Sequence, residues 1–252
     1  MKKVTLEKCW QTWPMQKAPV KLKDKVALIT GGGRGIGKAI AMHYGREGAK
    51  LALCARTAAE LDQTVKELRA VHIDAEGWTC DVSLEEPVQD FVARAHKKFG
   101  RIDVLVNNAG IMTRPAPMSE MDVKKWDYTM AVNLRGPFLV TRAVLPIMML
   151  QKSGSIINVS STIGRGAYPN FVAYGTSKWG LEGFSQTLAA EARSSNIRVN
   201  SVEPGYVATK LTGFNGSKPE SVTDLFVYLA SDESKAVTGK MLSTSGWQSR
   251  QK

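Results

Sequence analysis

Tyr174 and Lys178 stand four residues apart in the run Tyr174-Gly175-Thr176-Ser177-Lys178. On a helix that spacing puts them one turn apart on the same face. A phenol with a pKa near ~10 is a poor acid or base at neutral pH. A neighbouring cation stabilises the phenolate and lowers that pKa. The pair could then protonate a carbonyl oxygen during reduction, or deprotonate an alcohol during oxidation. Such pairs also arise by chance on helix surfaces, so the case depends on what else in the chain converges on them.

A second chemistry lies near the front of the chain. Val26-Ala27-Leu28-Ile29-Thr30 is a short apolar run that reads as a buried strand. It enters Gly31-Gly32-Gly33-Arg34-Gly35-Ile36-Gly37, and Lys38 to Met42 then reads as helix. Strand, glycine turn and helix form the front of a dinucleotide-binding βαβ unit. Small residues let the backbone approach a pyrophosphate, and the helix N-terminus offers unpaired N–H groups to it. Gly31, Gly33, Arg34, Gly35, Ile36 and Gly37 are the candidate cradle. A plain glycine turn is the competing reading. The next strand, Lys50 to Ala55, ends at Arg56 and lacks the carboxylate that would bond a ribose hydroxyl. Arg34 and Arg56 together suit a 2′-phosphate, which predicts NADP(H) in preference to NAD(H). The alternative is that Arg56 points to solvent.

The Thr-Gly-x-x-x-Gly-x-Gly spacing resembles the short-chain dehydrogenase/reductase family, and the resemblance extends from Leu22 to Trp247. It implies an adenine contact at Asp81, beside Val82, after the third strand. It identifies Asn107-Asn108-Ala109-Gly110 with the family's N-N-A-G, which brings Asn107, Ala109 and Gly110 to the cofactor. Asn107 is expected to steady the sheet as much as to bind. Asn133 matches the asparagine that holds a water in a proton relay to the lysine; without the resemblance it reads equally as a satisfied polar residue in a helix bend. Counting thirteen residues back from Tyr174 reaches Ser161, the position of the family's catalytic serine, with Ser160 beside it. Pro204-Gly205-Tyr206-Val207-Ala208-Thr209 matches P-G-x-x-x-T, implying a Val207 backbone contact to the carboxamide and a Thr209 contact to phosphate. The implied catalytic set is Asn133, Ser161, Tyr174 and Lys178, with Tyr174 and Lys178 also touching cofactor. Two departures stand out. The stretch after Thr209 is short, which suggests an open pocket. The ending Ser245-Gly246-Trp247 is unusual and puts the C-terminal contacts in doubt.

These residues need a scaffold that delivers them to one edge. Strand-like and helical segments alternate, which predicts an α/β doubly wound Rossmann fold with a mainly parallel sheet of about seven strands flanked by helices. Thr57-Ala58-Ala59-Glu60, Ser83-Leu84-Glu85-Glu86 and Ser217-Lys218-Pro219-Glu220 read as capping boxes that open helices. Asp122 to Leu150 reads as one or two helices with Pro137 and Pro146 as kinks or boundaries, and about Phe171 to Arg193 as the helix of Tyr174. Residues 22–252 are expected to form one oxidoreductase domain behind a flexible basic tail, 1–21. In a ligand-binding sheet of this kind the site lies at the carboxyl ends of the strands, where Thr30, Asn107, Ser161 and Pro204 fall.

Composition narrows the class. Of 252 residues, 43% are hydrophobic and 23% charged, ordinary for a globular protein. No apolar run reaches the ~18–20 residues of a membrane span. Cys9, Cys54 and Cys80 lack C-x-x-C spacing, which predicts no metal site and a reducing, cytoplasmic setting. The net charge of +11 is scattered, so affinity for an anionic cofactor is expected in preference to nucleic acid. The expected activity is NADPH-dependent reduction of a ketone or aldehyde by hydride transfer, and the family resemblance implies a homodimer or homotetramer built on the helices of Asn133 and Tyr174. The alternatives are a 3-oxoacyl-carrier-protein or CoA reductase and, from another class, a catalytically silent NADP(H)-binding regulator.

Overall fold

Residues 20–248 are described by the computed structural model. Most of the basic N-terminal segment, with Cys9, lies outside the described residues. Seven strands form the sheet: β1 (Val26–Thr30), β2 (Lys50–Ala55), β3 (Ala75–Thr79), β4 (Val104–Asn107), β5 (Gly154–Val159), β6 (Ile197–Glu203) and β7 (Met241–Ser243). Their order is β3-β2-β1-β4-β5-β6-β7 and every pairing is parallel. Parallel strands covered on both faces must be apolar throughout, and β1 and β5 are buried at every position.

Alternation along β1 divides the core. Ala27 and Ile29 face α1 (Gly35–Arg46), α2 (Ala58–Ala70) and α7 (Asp224–Ala230), where Ile40, Leu61, Leu68 and Phe226 pack. Leu28 faces the opposite layer, formed by α3 (Glu85–Phe99), α5 (Gly136–Gln151) and α6 (Val172–Glu191), with Phe91, Val144 and Leu188. Each fully buried aliphatic or aromatic side chain contributes about 1.5–3 kcal/mol. The chain leaves β1 toward β3 and returns on the other side of β1 as β4, so the strand order reverses between β1 and β4. That reversal opens the crevice at the carboxyl ends of the strands.

Several local expectations change. The first two capping boxes do not form: the cap positions are Thr57 and Leu84, neither with a side-chain capping bond. Glu60 turns to Arg34, and Ser83 bonds Asp81. Ser217 bridges to Val207 instead of opening a helix. The region after Asp122 becomes α4 (Val123–Met130), a π-helical turn (Ala131–Arg135) and then α5. Pro137 follows directly on the π-helical turn at the start of α5, and Pro146 sits inside that helix. Trp247 settles on Tyr228 of α7 with ring centroids 5.1 Å apart, so the unusual ending is docked on the core.

Candidate active site

The glycine turn is held shut by contacts that admit no larger residue. A Cβ on Gly37 would stand 2.3 Å from the Gly31 carbonyl oxygen and 2.5 Å from Asn108 Nδ2, and Gly31 itself has φ of +67°. Asn108 fastens the turn to the end of β4: its Nδ2 donates to the Thr30 and Gly31 carbonyls at 2.9 and 3.2 Å. Thr30 Oγ1 accepts from the Asn108 and Ala109 backbone N–H groups, both at 3.0 Å. Gly31, Gly33, Arg34, Gly35 and Ile36 therefore line a cleft of about 650 Å³ at the strand ends, while Gly37 closes the turn beneath it. Thr209 packs against Gly35, 3.2 Å from where a Cβ would be. Pro204, Gly205 and Val207 line the same cleft.

The two arginines line the cleft together, but not without acids. Arg34 Nη1 meets both Glu60 oxygens, at 2.6 and 2.9 Å. Arg56 lies 3.9 Å from Asp81 Oδ2 and 5.6 Å from the Tyr128 ring centre. The carboxylate missing from the end of β2 is supplied across space by α2, and Glu60 also lines the cleft. Asp81 spends its other oxygen on the Ser83 N–H and hydroxyl, at 2.9 and 2.7 Å, while Val82 reaches the cleft.

Asn107 and Asn108 divide the two jobs expected of Asn107. Asn107 is buried away from the cleft, donating to Thr141 Oγ1 at 3.1 Å and Asn158 Oδ1 at 2.8 Å. Asn108, Ala109 and Gly110 form the cleft wall. The division follows from side-chain alternation at the end of β4. Asn133, fully buried, accepts from the Ile111 N–H and donates to the Ile111 carbonyl, both at 2.8 Å, and donates to Ser177 Oγ at 3.2 Å. It is thus a satisfied polar residue pinning the start of the 111–121 loop. A Cβ on Gly110 would lie 3.5 Å from Asn133 Oδ1 and 3.7 Å from Lys178 Nζ, so both side chains reach the same backbone position.

Ser161, Tyr174 and Lys178 all line the cleft. Ser161 caps the short turn Thr162–Gly164 through the Ile163 N–H, and Ser160 beside it is buried. Lys178 Nζ donates to the Val159 carbonyl at 2.8 Å and sits 5.7 Å from the Tyr174 ring centre. Burial brings the Lys178 pKa down to about 8, with Glu182 opposing. Burial also raises the Tyr174 phenol, and the Ser161 hydroxyl draws it partway back. Desolvation dominates at Tyr174, and the group that opposes it is Ser161 and not the lysine the sequence pointed to. Tyr168, Phe171, Tyr206 and Leu211 give the outer cleft an aromatic and apolar lining, whereas Phe214 is exposed and lies off it. The short segment after Thr209 folds as one turn, Lys210–Thr212. Among the described residues no cluster of three or more His, Cys, Asp or Glu could hold a metal.

A phosphate-sized glycine turn, a hydroxyl, a phenol and an ammonium thus meet in one cleft. The family model for short chain dehydrogenases matches residues 25–220.

The chain is a short-chain dehydrogenase.

This dehydrogenase is 39% identical to the 3-oxoacyl-[acyl-carrier-protein] reductase FabG of Thermotoga maritima, over 90% of this chain and 98% of that one. The solved structure of levodione reductase superposes with a TM-score of 0.86 at 29% identity, covering 91% of this chain and 99% of its own. NAD+-bound xylitol dehydrogenase superposes at 0.84 with 29% identity, covering 88% and 98%. Like its family, the dehydrogenase is an oxidoreductase that uses a nicotinamide cofactor, in a Rossmann-like fold. As site residues Glu60 and Glu182 escaped the sequence reading, and Asn108 was read only as part of the Asn107–Gly110 run. Asn108 adjoins the named asparagine, and Glu182 repeats the four-residue step from Lys178, so both carried a usable signal.

Proposed function

We propose that this dehydrogenase reduces a ketone or aldehyde with NADPH, through Ser161, Tyr174 and Lys178. The convergence of those three side chains in the cleft beside the glycine turn carries the reading. The nicotinamide cofactor, when bound, supplies the hydride. Tyr174 gives its phenolic proton to the substrate oxygen. Ser161 donates a hydrogen bond to that oxygen as charge builds on it. Lys178 holds ribose hydroxyls and favours the phenolate left behind. Asn133 would serve the proton relay by fixing the Ile111 backbone beside Lys178, where a water could link the lysine to solvent. Gly31, Gly33, Gly35, Ile36 and Thr209 would hold the pyrophosphate, and Asp81 and Val82 would border adenine. Arg34 and Arg56 support NADP(H) over NAD(H), because both cations line one cleft.

A 3-oxoacyl thioester on an acidic carrier protein is the second reading. The 3-oxoacyl-[acyl-carrier-protein] reductase of Thermotoga maritima as a relative favours it, and a net charge of +11 suits an acidic partner. In either case the protein works as a homodimer or homotetramer in the cytoplasm, where the free Cys54 and Cys80 stay reduced.

Tyr174→Phe tests the proposal. The loss of a general acid should lower kcat by at least about 100-fold, with NADPH affinity by fluorescence titration unchanged. Undiminished turnover across ketones, aldehydes and a 3-oxoacyl thioester would reject the assignment.

A further inference from the structure

We infer that Glu182, clamped by Arg165 and Ser201, is a positioning residue that holds Lys178 as a cation, and that Arg165 sets how strongly it does so. The inference rests on the catalytic reading of Tyr174 and Lys178 given above. Lys178 is 4% exposed and Glu182 2% exposed. Four residues apart on α6, they stack one turn apart. A buried ammonium is costly unless it is paired. The hydrogen-bond partner of Lys178 is the Val159 carbonyl, a dipole and not a charge. Other groups facing it are neutral: Tyr174 from its own helix, Asn133 from the π-helical turn, and the backbone of Gly110 and Gly164. Glu182 is the carboxylate that opposes the burial of Lys178.

Glu182 in turn is gripped from two directions. Arg165, from the segment after β5, reaches Glu182 Oε1 at 3.1 Å. Ser201 on β6 donates its hydroxyl to Glu182 Oε2. Arg165 also donates to the Leu242 carbonyl on β7 at 3.2 Å, which keeps the guanidinium in place. Glu203, the nearby carboxylate of β6, is taken up by Thr162, Ser243 and the Gly205 N–H. Lys178, Glu182 and Arg165 therefore form a buried line of alternating sign. Apolar side chains would serve folding as well or better than these buried charges. What apolar side chains would lack is an adjustable field at Lys178.

The line makes two opposite predictions. Removing the negative charge with Glu182→Gln should move the Lys178 titration midpoint down by about one pH unit. Removing the positive charge with Arg165→Gln, which leaves the Glu182 field less offset, should move it up. General loosening of the helix cannot drive the two in opposite directions. Arg165 is 23% exposed on its side chain, so this variant remains informative even where Glu182→Gln folds poorly. The midpoint is read by NMR on the full chain carrying 13Cε-lysine, with the Lys178 signal assigned by its loss in Lys178→Gln. Opposed shifts, with Glu182→Asp lying between wild type and Glu182→Gln, support the inference. Midpoints that stay fixed or move together overturn it. The alkaline limb of kcat/KM is followed in parallel. A limb that stays still while the midpoints move in opposition supports the charge line and rejects the catalytic reading of Lys178 instead.

Discussion

Arg34 Nη1 is shared between the two oxygens of Glu60, and Arg56 stands between Asp81 and the face of Tyr128. A guanidinium beside a carboxylate has part of its charge offset and offers less of it to a 2′-phosphate. Glu60→Gln should therefore raise the NADPH over NADH preference, by about fivefold, which is the ~1 kcal/mol expected of a largely exposed pair. Arg56→Asp should move the preference toward NADH. Dissociation constants for both nucleotides check this, and a ratio unchanged in both variants removes the arginines from cofactor choice. At this scale the sequence was legible where chemistry runs in consecutive residues: the glycine turn, Tyr174 with Lys178, and Asn107 with Asn108. Glu60 was invisible as a partner of Arg34 because α2 brings it there from 26 positions away. The same distance explains why the two arginines read as unopposed in the sequence.

The strand assignments agree closely with the observed elements, since buried parallel strands announce themselves as short apolar runs. The caps agree less well. A Ser or Thr with Glu three residues on fits a capping box, yet tertiary partners claimed Glu60 and Ser83. The π-helical turn at Ala131–Arg135 left no trace beyond one polar residue in an apolar stretch, because one extra residue per turn has no propensity of its own. The glycine turn is the element whose geometry is least forgiving. Gly37→Ala would press a methyl into the Gly31 carbonyl and Asn108, both closer than 3 Å. It should weaken binding of both nucleotides and lower stability by about 1–3 kcal/mol, read by nucleotide titration and urea unfolding. Unaltered binding would mean that the turn is not the phosphate cradle.

Across the whole molecule, apolar side chains remain uncovered on the helices flanking the site: Tyr128 on α4, Phe138 and Leu150 on α5, and Trp179 on α6. Under the proposed assembly these are what a second copy covers. Sedimentation of the wild type should then give a dimer or tetramer, and Phe138→Asp with Trp179→Asp should release monomers. A monomeric wild type rejects the assembly. In the sequence the proposed assembly rests on family resemblance alone, because Trp179 at helical spacing looks the same whether it meets a core or a neighbour.

The strand order has one more consequence. Every joint in the sheet but one unites strands that are consecutive in the chain; the exception is β1 with β4, where Ala27 meets Val104. That joint must wait until β2, α2, β3 and α3 have been laid down, so it closes late and against the entropy of a long loop. The cleft lies along this same seam, with Gly31 on one bank and Asn108 on the other. A nucleotide lodged across it acts as a rivet between two halves of the folding chain. Its concentration then adds to resistance against unfolding by mass action, and starving the protein of it would loosen the molecule first where the chemistry is done.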